Sequence, residues 1–286
     1  MRKYIYHWVF LFVAITLFVG CETELDQSSI RFTPRLVVNS FVNSDDYFNV
    51  QVSQTIPMSD TQPPKFIENA EVKVSDGNSE QILTYNLGLG KYVANFKPVQ
   101  GTQYDVTVSY PNYATARGKM TLPSKLNSPK STWIDGTGMD SFGFQTGTIT
   151  CFIADPQSER NYYEINLYRF EDFTQEWQIM PPTTTDPLLS QNAELTDLGG
   201  YLLDDRSFNG STRKFEFITS FGSAGSTYKY LVEVRSLSDE YYRYLQSLAN
   251  YRKTVGLFSD PTPIYSNIVN GRGICAGASI QRDTIQ

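Results

Sequence analysis

Apolar and polar residues alternate in short runs from residue 34 to residue 122. Turn-forming Gly, Pro, Asn and Asp residues separate seven such runs, at 36–42, 48–55, 70–74, 81–85, 91–96, 104–110 and 113–120. Because every second side chain of a β-strand lies on the same face, each run can bury one face and expose the other. Seven short strands at nearly even spacing are typical of an immunoglobulin-like or fibronectin-like β-sandwich.

One tyrosine strengthens the prediction of a sandwich. The stretch from Pro98 to Tyr104 resembles the tyrosine corner of immunoglobulin-like and fibronectin-like domains. In that motif the phenol forms a hydrogen bond with the backbone a few residues upstream. We therefore expect Tyr104 to have a structural role.

The second half of the chain is also rich in strand patterns. Pro123 and Pro129 bound a polar stretch that interrupts the periodicity, which places a domain linker at 123–129. Further strands are predicted at 131–134, 145–154, 162–170, 176–180, 214–218, 227–236 and 274–284, with a polar excursion at 181–196. Apolar residues at helical spacing predict one helix at 238–253. The predicted fold class is mainly β: an Ig-like or fibronectin-like sandwich at 34–122, then a second β-rich domain at 130–286 with one amphipathic helix.

The N-terminal residues have the pattern of a bacterial lipoprotein signal. A basic start precedes an apolar run at 8–19, and this run ends at a small-residue junction before Cys21. In such signals the cysteine thiol is acylated and the cysteine becomes the mature N-terminus. An uncleaved anchor is the alternative, but spanning a bilayer needs about 20 apolar residues. We expect a signal peptide at 1–20, lipidation at Cys21 and a flexible tether that continues to residue 33.

Charge and histidine content exclude several functions. Removal of the signal deletes Arg2 and Lys3, so 22 basic residues remain against 30 acids and the formal net charge changes from −6 to −8. Nucleic-acid binding needs clustered Lys and Arg, and no nucleic-acid partner is expected. His7 is the only histidine and is lost with the signal, which excludes His-dependent triads and His-ligated metals. No catalytic residue, metal or cofactor is assigned.

Two cysteines remain in the body of the chain. Cys151 and Cys275 each lie within a predicted strand. An exported compartment permits a disulfide between them. The alternative is that both are small apolar core residues. The sequence leaves both alternatives open.

The densest aromatic segment is the main candidate for a ligand-binding or partner-binding surface. The candidate residues are Tyr162, Tyr163, Tyr168, Phe173 and Trp177. Exposed aromatic rings bury a large area on binding at a small cost in conformational entropy. The alternative for each residue is the core, since strand alternation sends about half of them inward.

Other motifs have simpler explanations. The glycine-rich stretch 271–277 imitates a phosphate-binding loop, but a strand follows it where a helix N-terminus is needed. Asp204 and Asp205 offer oxygen ligands for Ca²⁺, but the alternate spacing of an EF-hand is absent and a turn is favoured. These two acids, with Asp239 and Glu240, are also candidates for a glycosidase pair. Acids at a helix N-terminus, however, stabilise the helix.

Several stretches resemble a known family. They are Cys21–Asp26, Leu36–Val42, Asn69–Val74, Asp155–Pro156 with Asn161–Tyr163, Leu203–Gly210, Ser236–Leu245 and Ser266–Gly271. In order and spacing the chain is similar to Bacteroidota surface lipoproteins grouped as domain of unknown function 4249. Many relatives carry an aromatic residue near the position of Cys275, which is a departure here.

The resemblance implies a location and a partner. Members of the family are typically encoded beside SusC-like TonB-dependent outer-membrane transporters, and no catalytic residues are established for them. We therefore expect an outer-membrane lipoprotein that faces the cell exterior, contacts lipid through its acylated N-terminus and is a non-enzymatic accessory to such a transporter. The alternatives are a free-standing adhesion or glycan-binding module and a carboxylate-based hydrolase.

Overall fold

The computed structural model describes residues 32–57, 60–126, 130–157, 159–181, 183–196, 199–220, 229–255 and 262–286. Residues 34–286 form one compact unit. The predicted signal peptide, Cys21 and nearly all of the predicted tether lie outside the described residues. Mainly β structure, predicted from the alternation of apolar and polar residues, is confirmed.

The described residues contain seventeen strands and two helices. The strands are β1 (Leu36–Asn43), β2 (Asn49–Gln54), β3 (Glu71–Ser75), β4 (Glu80–Ile82), β5 (Thr84–Asn86), β6 (Lys91–Val93), β7 (Gln103–Ser109), β8 (Ala116–Thr121), β9 (Lys130–Met139), β10 (Gln145–Ala154), β11 (Tyr162–Glu171), β12 (Glu176–Ile179), β13 (Glu194–Leu195), β14 (Tyr201–Asp204), β15 (Thr212–Ser220), β16 (Tyr230–Leu237) and β17 (Arg272–Ile285). The helices are α1 (Pro187–Asn192) and α2 (Asp239–Thr254).

The strands form three sheets. The largest has the order β13-β14-β11-β16-β17-β1-β2-β6-β5, and β12 also pairs with β11. The other two have the orders β15-β10-β9 and β4-β3-β7-β8. The two smaller sheets supply the second layers over the two halves of the large sheet, which is the usual way for a sheet to bury its apolar face.

The N-terminal half has the packing expected of a sandwich. Alternating residues such as Val50, Val72 and Val106 are buried in one core between the sheets. The Tyr104 side chain is buried beside Phe48, and its phenol oxygen accepts a hydrogen bond from the Val99 backbone N–H at 2.8 Å. The upstream bond expected of a tyrosine corner is therefore present.

Strand β17 connects the two halves of the large sheet. It pairs in parallel with β1, from Val37 opposite Arg272 to Asn43 opposite Ala278. It also pairs antiparallel with β16, from Leu237 opposite Ala278 to Tyr230 opposite Ile285. The C-terminal strand therefore belongs to both halves, whereas the sequence analysis assigned it wholly to the second domain.

The two cysteines belong to different cores. Cys275 packs in the core of the N-terminal half, and Cys151 packs in the core between the β9-β10-β15 sheet and the large sheet. Both are free and fully buried, so the predicted disulfide alternative is wrong. Burial raises the pKa of each thiol to about 12, and both cysteines act as small apolar core residues.

Helix α2 packs on the outer face of the large sheet. Ser238 caps its N-terminus, because the Ser238 hydroxyl oxygen accepts a hydrogen bond from the Tyr241 N–H at 3.3 Å. The apolar face of the helix covers Tyr162, Leu202, Leu237 and Ala278 with Tyr241, Tyr242 and Leu245. The predicted helix is thus present, shifted by one residue at each end.

Candidate binding region at the start of the long helix

Three of the stretches that carry the family resemblance meet at one point of the large sheet. Tyr162, the first residue of β11, lies opposite Asp204 at the end of β14 and opposite Leu237 at the end of β16. Helix α2 begins two residues after Leu237. The sheet register therefore brings together side chains that are distant in sequence.

The Tyr162 ring lies between the sheet and the helix. It is only 8% exposed and stacks on Tyr242 of α2 with ring centroids 4.4 Å apart. Its hydroxyl donates a hydrogen bond to Asp239 Oδ1 at 2.9 Å, and the Arg160 guanidinium lies 5.4 Å from the ring centroid. Burial and then the bond to Asp239 raise the pKa of Tyr162 to about 12. The phenol therefore stays protonated and acts as a donor.

Asp204 is held by two arginines on the other side of this aromatic pair. Arg206 reaches its carboxylate with Nε at 2.8 Å and 3.0 Å, and Arg160 with Nη2 at 3.3 Å. Burial alone would raise the pKa of Asp204, but the hydrogen bonds from Arg206 and the charges of both arginines outweigh burial and lower it. Asp204 is therefore an ionised partner of the arginines.

Two further carboxylates fasten the loops below the aromatic pair. Asp155 accepts hydrogen bonds from the Tyr163 hydroxyl and from the Gly210 N–H, the latter at 2.8 Å. Asp205 is buried and accepts the Asn161 N–H at 2.8 Å. Burial raises the pKa of Asp205, and the charge of Asp155 adds to the increase against the opposing bond from Asn161. These acids fix the chain around the turn at 205–210.

The four acids considered as a glycosidase pair mostly have internal partners. Asp239 Oδ2 accepts from Arg243 Nε at 2.8 Å, while its Oδ1 accepts from Tyr162. Asp204 and Asp205 have the partners described above. Among the residues that the structure describes, no group of three or more His, Cys, Asp or Glu side chains is arranged to hold a metal ion. The arrangement therefore favours the structural interpretation of these acids.

Two clefts flank the stacked tyrosines. One has a volume of about 390 Å³ and is lined by Arg160, Asn161, Tyr162, Asp239, Glu240 and residues around Pro123 and Pro156. The other, of about 300 Å³, is lined by Glu194, Asp204, Arg206, Ser207, Tyr242 and Gln246. Tyr and Arg side chains at the rim of a cleft are typical of binding surfaces. This region is the candidate binding site that the family stretches indicate.

The predicted aromatic surface is only partly exposed. Tyr163 is fully buried in the second core and Tyr162 is covered by α2, so for these two residues the core alternative holds. The reason is that β11 is a central strand of the large sheet, covered on both faces over its first six residues. Tyr168 is half-buried, whereas Trp177 is 38% and Phe173 is 94% exposed. The exposed members lie on the hairpin formed by β11 and β12.

A second hairpin carries exposed apolar residues that the sequence analysis missed. At the turn between β9 and β10, Phe142 is 84% and Met139 is 78% exposed. Asp140 stabilises this turn, since its Oδ1 accepts the N–H groups of Phe142 and Phe144 at 2.9 Å each. The available signal was the sequence Asp140-Ser-Phe-Gly143, which combines turn residues with an aromatic ring at the tip.

Both hairpin tips lie at the same end of the second half. Residues 155–161 join the end of β10 to the start of β11, so each tip lies at the other end of its strand. The last part of β11 pairs with the start of β16, which in turn pairs with the last residues of β17. On β9, the Ser131 N–H donates to Asp283 at 2.6 Å, which places the base of that hairpin beside the end of β17. Strand β1 starts beside Arg272, at the opposite end of β17. A strand of 14 residues is about 45 Å long.

These features define a mainly β protein with two sheet-on-sheet cores and one long helix packed outside them. The chain belongs to the family described as Domain of unknown function (DUF4249), whose model matches residues 21–284. The solved structure of a marsupial T cell receptor is similar at 10% identity, covering 70% of this chain and 94% of that chain with a TM-score of 0.22. A comparison with curated proteins found no significant match.

Proposed function

We propose that this protein is an outer-membrane lipoprotein, acylated at Cys21 and facing the cell exterior. In this proposal it is a non-enzymatic accessory to a SusC-like TonB-dependent transporter, which it assists by capturing or gating a ligand or by bracing the transporter. The observation that carries the proposal is the pair of hairpin tips that expose Phe142 and Phe173 at one end of the molecule. The kind of partner is inferred from the resemblance to the surface lipoproteins.

The two tips have the composition of a protein-binding surface. Each tip exposes apolar residues that are close in sequence, Met139 and Phe142 on one tip and Phe173 and Trp177 on the other. Clustered exposed apolar side chains mark interaction sites, and aromatic rings dominate the binding energy of such sites. Trp177 is held edge-on against Phe170, with ring centroids 5.2 Å apart, so part of this surface is already ordered. A preordered surface loses less conformational entropy on binding.

The predicted tether suits a partner in the same membrane. The tether predicted at 21–33 would extend roughly 40 Å at most. Anchoring confines the protein near the membrane and raises its effective concentration at a neighbouring barrel, so a weak interface suffices. The acidic chain argues against direct docking of the body on anionic lipid.

The hydrolase alternative receives less support from the geometry. Three of its four candidate acids have arginine, tyrosine or backbone partners, as described above. Within the part of the chain that the structure describes, no helix is both long and apolar enough to cross a bilayer. The proposed attachment is acylation at Cys21.

Crosslinking in intact cells followed by affinity purification and mass spectrometry tests the proposed partner. We expect a TonB-dependent barrel to be recovered with the native protein and to be depleted with the double variant Phe142→Asp/Phe173→Asp. The control is Leu89→Asp, which changes a 62% exposed residue in the turn between β5 and β6. Recovery of no barrel, or equal recovery with all three proteins, would contradict the proposal.

The proposed anchor has its own test. Radiolabelled palmitate should enter the native protein but not the Cys21→Ala variant, and the variant should leave the membrane fraction. Unchanged fractionation of the variant would refute acylation without bearing on the hairpin surface.

A further inference from the structure

A groove lined by both polar and apolar side chains lies on the outer face of the β9-β10-β15 sheet, away from the candidate region at α2. Its volume is about 630 Å³, within the range of about 300–1,000 Å³ usual for ligand sites. Thr146 and Thr148 of β10 form its floor with Glu216 and Ile218 of β15. The hairpin at 137–142 is one wall, and the segment at 183–185 is the other.

The second wall is fixed to the edge of the sheet. The Ile218 N–H donates to the Thr183 carbonyl at 2.7 Å, and the Thr184 hydroxyl donates to the Glu216 carbonyl at 2.5 Å. Asp186 then accepts two bonds from Arg213, at 3.0 Å and 3.1 Å. The excursion predicted at 181–196 is therefore tied down beside β15, and the groove exists before any ligand binds.

A glycine keeps the hairpin side of the groove open. A Cβ at Gly138 would lie 3.1 Å from Thr146 Oγ1, so a side chain at this position would point over the floor. Gly138 is not among the glycines with positive φ, so the backbone itself does not require glycine there. A larger residue at 138 would fill the groove.

The lining selects the chemistry of the ligand. Five threonines and Ser141 supply hydroxyl groups, of which those of Thr137 and Thr148 bond to each other at 2.9 Å, and none of the described residues that line the groove is Lys, Arg or His. Lys214 lies beside the groove but is paired with the lining residue Glu216, so a phosphate, sulfate or carboxylate would meet no uncompensated positive charge in this lining. Its two acids are engaged elsewhere, since Asp140 caps the hairpin turn and Glu216 pairs with Lys214 at 2.9 Å. Three large apolar side chains line the groove, Ile218 on the floor and Met139 and Phe142 on the hairpin wall, and the two on the wall are mostly exposed to solvent, so they do not enclose a lipid tail.

One aromatic ring completes the groove. Phe142, at the tip of the hairpin wall, lines it and is 84% exposed. A flat ring beside hydroxyl groups matches a sugar, whose C–H face packs on the ring while its edge forms hydrogen bonds. We infer that this groove binds a neutral oligosaccharide. The inference does not depend on the proposed transporter, because binding is a property of the isolated chain.

Calorimetry on the full chain, purified in a detergent without a sugar headgroup, tests the groove. The neutral probes are the hexasaccharides of cellulose, amylose, mannan and xylan. The charged probes are hexamers of galacturonic acid and of glucosamine. We expect at least one neutral probe to bind at millimolar or lower concentration and both charged probes to bind more weakly.

Three variants locate the binding. Gly138→Leu should abolish it, and Phe142→Ala should weaken it about two- to tenfold. Phe173→Ala, which removes a ring that is 94% exposed from the other hairpin, should leave the binding unchanged. If circular dichroism shows that Gly138→Leu does not fold, the comparison of Phe142→Ala with Phe173→Ala tests the inference. Absence of neutral binding, tighter binding of a charged probe, or equal binding by these two alanine variants would overturn the inference.

Discussion

The Tyr162 hydroxyl donates a hydrogen bond to Asp239 Oδ1 at 2.9 Å, and this bond fastens the first turn of α2 to the first residue of β11. Asp239 also accepts from Arg243, one turn further along the helix. The pair therefore links the sheet to the helix at the centre of the candidate region.

Tyr162→Phe should lower the free energy of unfolding by about 1.5–3 kcal/mol, the usual net value of a hydrogen bond to a charged group. The stacking on Tyr242 is retained in this variant, so the loss should come from the hydroxyl alone. Urea unfolding followed by circular dichroism measures the change, with Tyr47→Phe at an exposed tyrosine as the control. Equal stability of Tyr162→Phe and the wild type would mean that this hydrogen bond adds nothing.

Gly118→Ala should destabilise the N-terminal half. A Cβ at position 118 would overlap Cys275 Sγ and lie 2.7 Å from Ile268 Cδ1. Overpacking of this kind costs about 1–3 kcal/mol. Thermal unfolding of the single variant gives the cost, and the double variant Gly118→Ala/Cys275→Ala should recover part of it because the sulfur is removed. Strictly additive effects of the two substitutions would show that they do not touch.

Asp204 and Asp205 should respond to acid with opposite signs. The folded-state pKa of Asp204 is lowered, so its stabilising contribution is present above its unfolded pKa of about 3.9 and is lost as the pH falls through the folded value. The folded-state pKa of Asp205 is raised, so its ionised form is penalised at neutral pH and the penalty disappears as the pH falls through that raised value.

Unfolding curves between neutral pH and pH of about 3 for two variants test this pair. Asp204→Asn should be less stable than the wild type at neutral pH and should converge with it in acid. At neutral pH, Asp205→Asn should lower the free energy of unfolding less than Asp204→Asn does, because asparagine can still accept the Asn161 N–H and carries no buried charge. Parallel pH dependence for wild type and Asp204→Asn would contradict the lowered pKa.

The two core cysteines should be unreactive in the folded protein. Both thiols are buried and their pKa is raised to about 12, so little thiolate forms at neutral pH. Cys151 and Cys275 should react with a maleimide only after addition of denaturant, and both should then react without prior reduction. Mass spectrometry counts the labels; a fragment pair joined through sulfur would contradict the free-thiol structure.

Local pattern was sufficient for most of the fold. The two-residue alternation located nearly every strand, and the helical spacing of apolar residues located α2 within one residue at each end. The phenol of Tyr104 has the predicted upstream bond. These features depend on neighbours in sequence or on burial of a single face, which periodicity reports directly.

Pairing between segments that are distant in sequence could not be predicted from local patterns. Strand β17 pairs with β1 across more than two hundred residues of chain, and no local pattern encodes a partner. Strand β14 was missed because its four residues precede a stretch rich in turn formers. Tyr162 and Phe173 look equivalent in the sequence, but only Tyr162 lies under α2. The groove depends on a wall from 183–185 that bonds to β15, a contact set by tertiary packing.

The parallel pairing of β1 with β17 also bears on mechanical strength. Seven residue pairs join these strands, and the chain enters β1 at one end while β17 leaves toward the hairpins at the other. A pull applied between the start of β1 and the hairpins would load these bonds in shear, all at once, instead of unzipping them one by one. The strand that unites the two halves thus makes the body suited to transmit tension without unravelling.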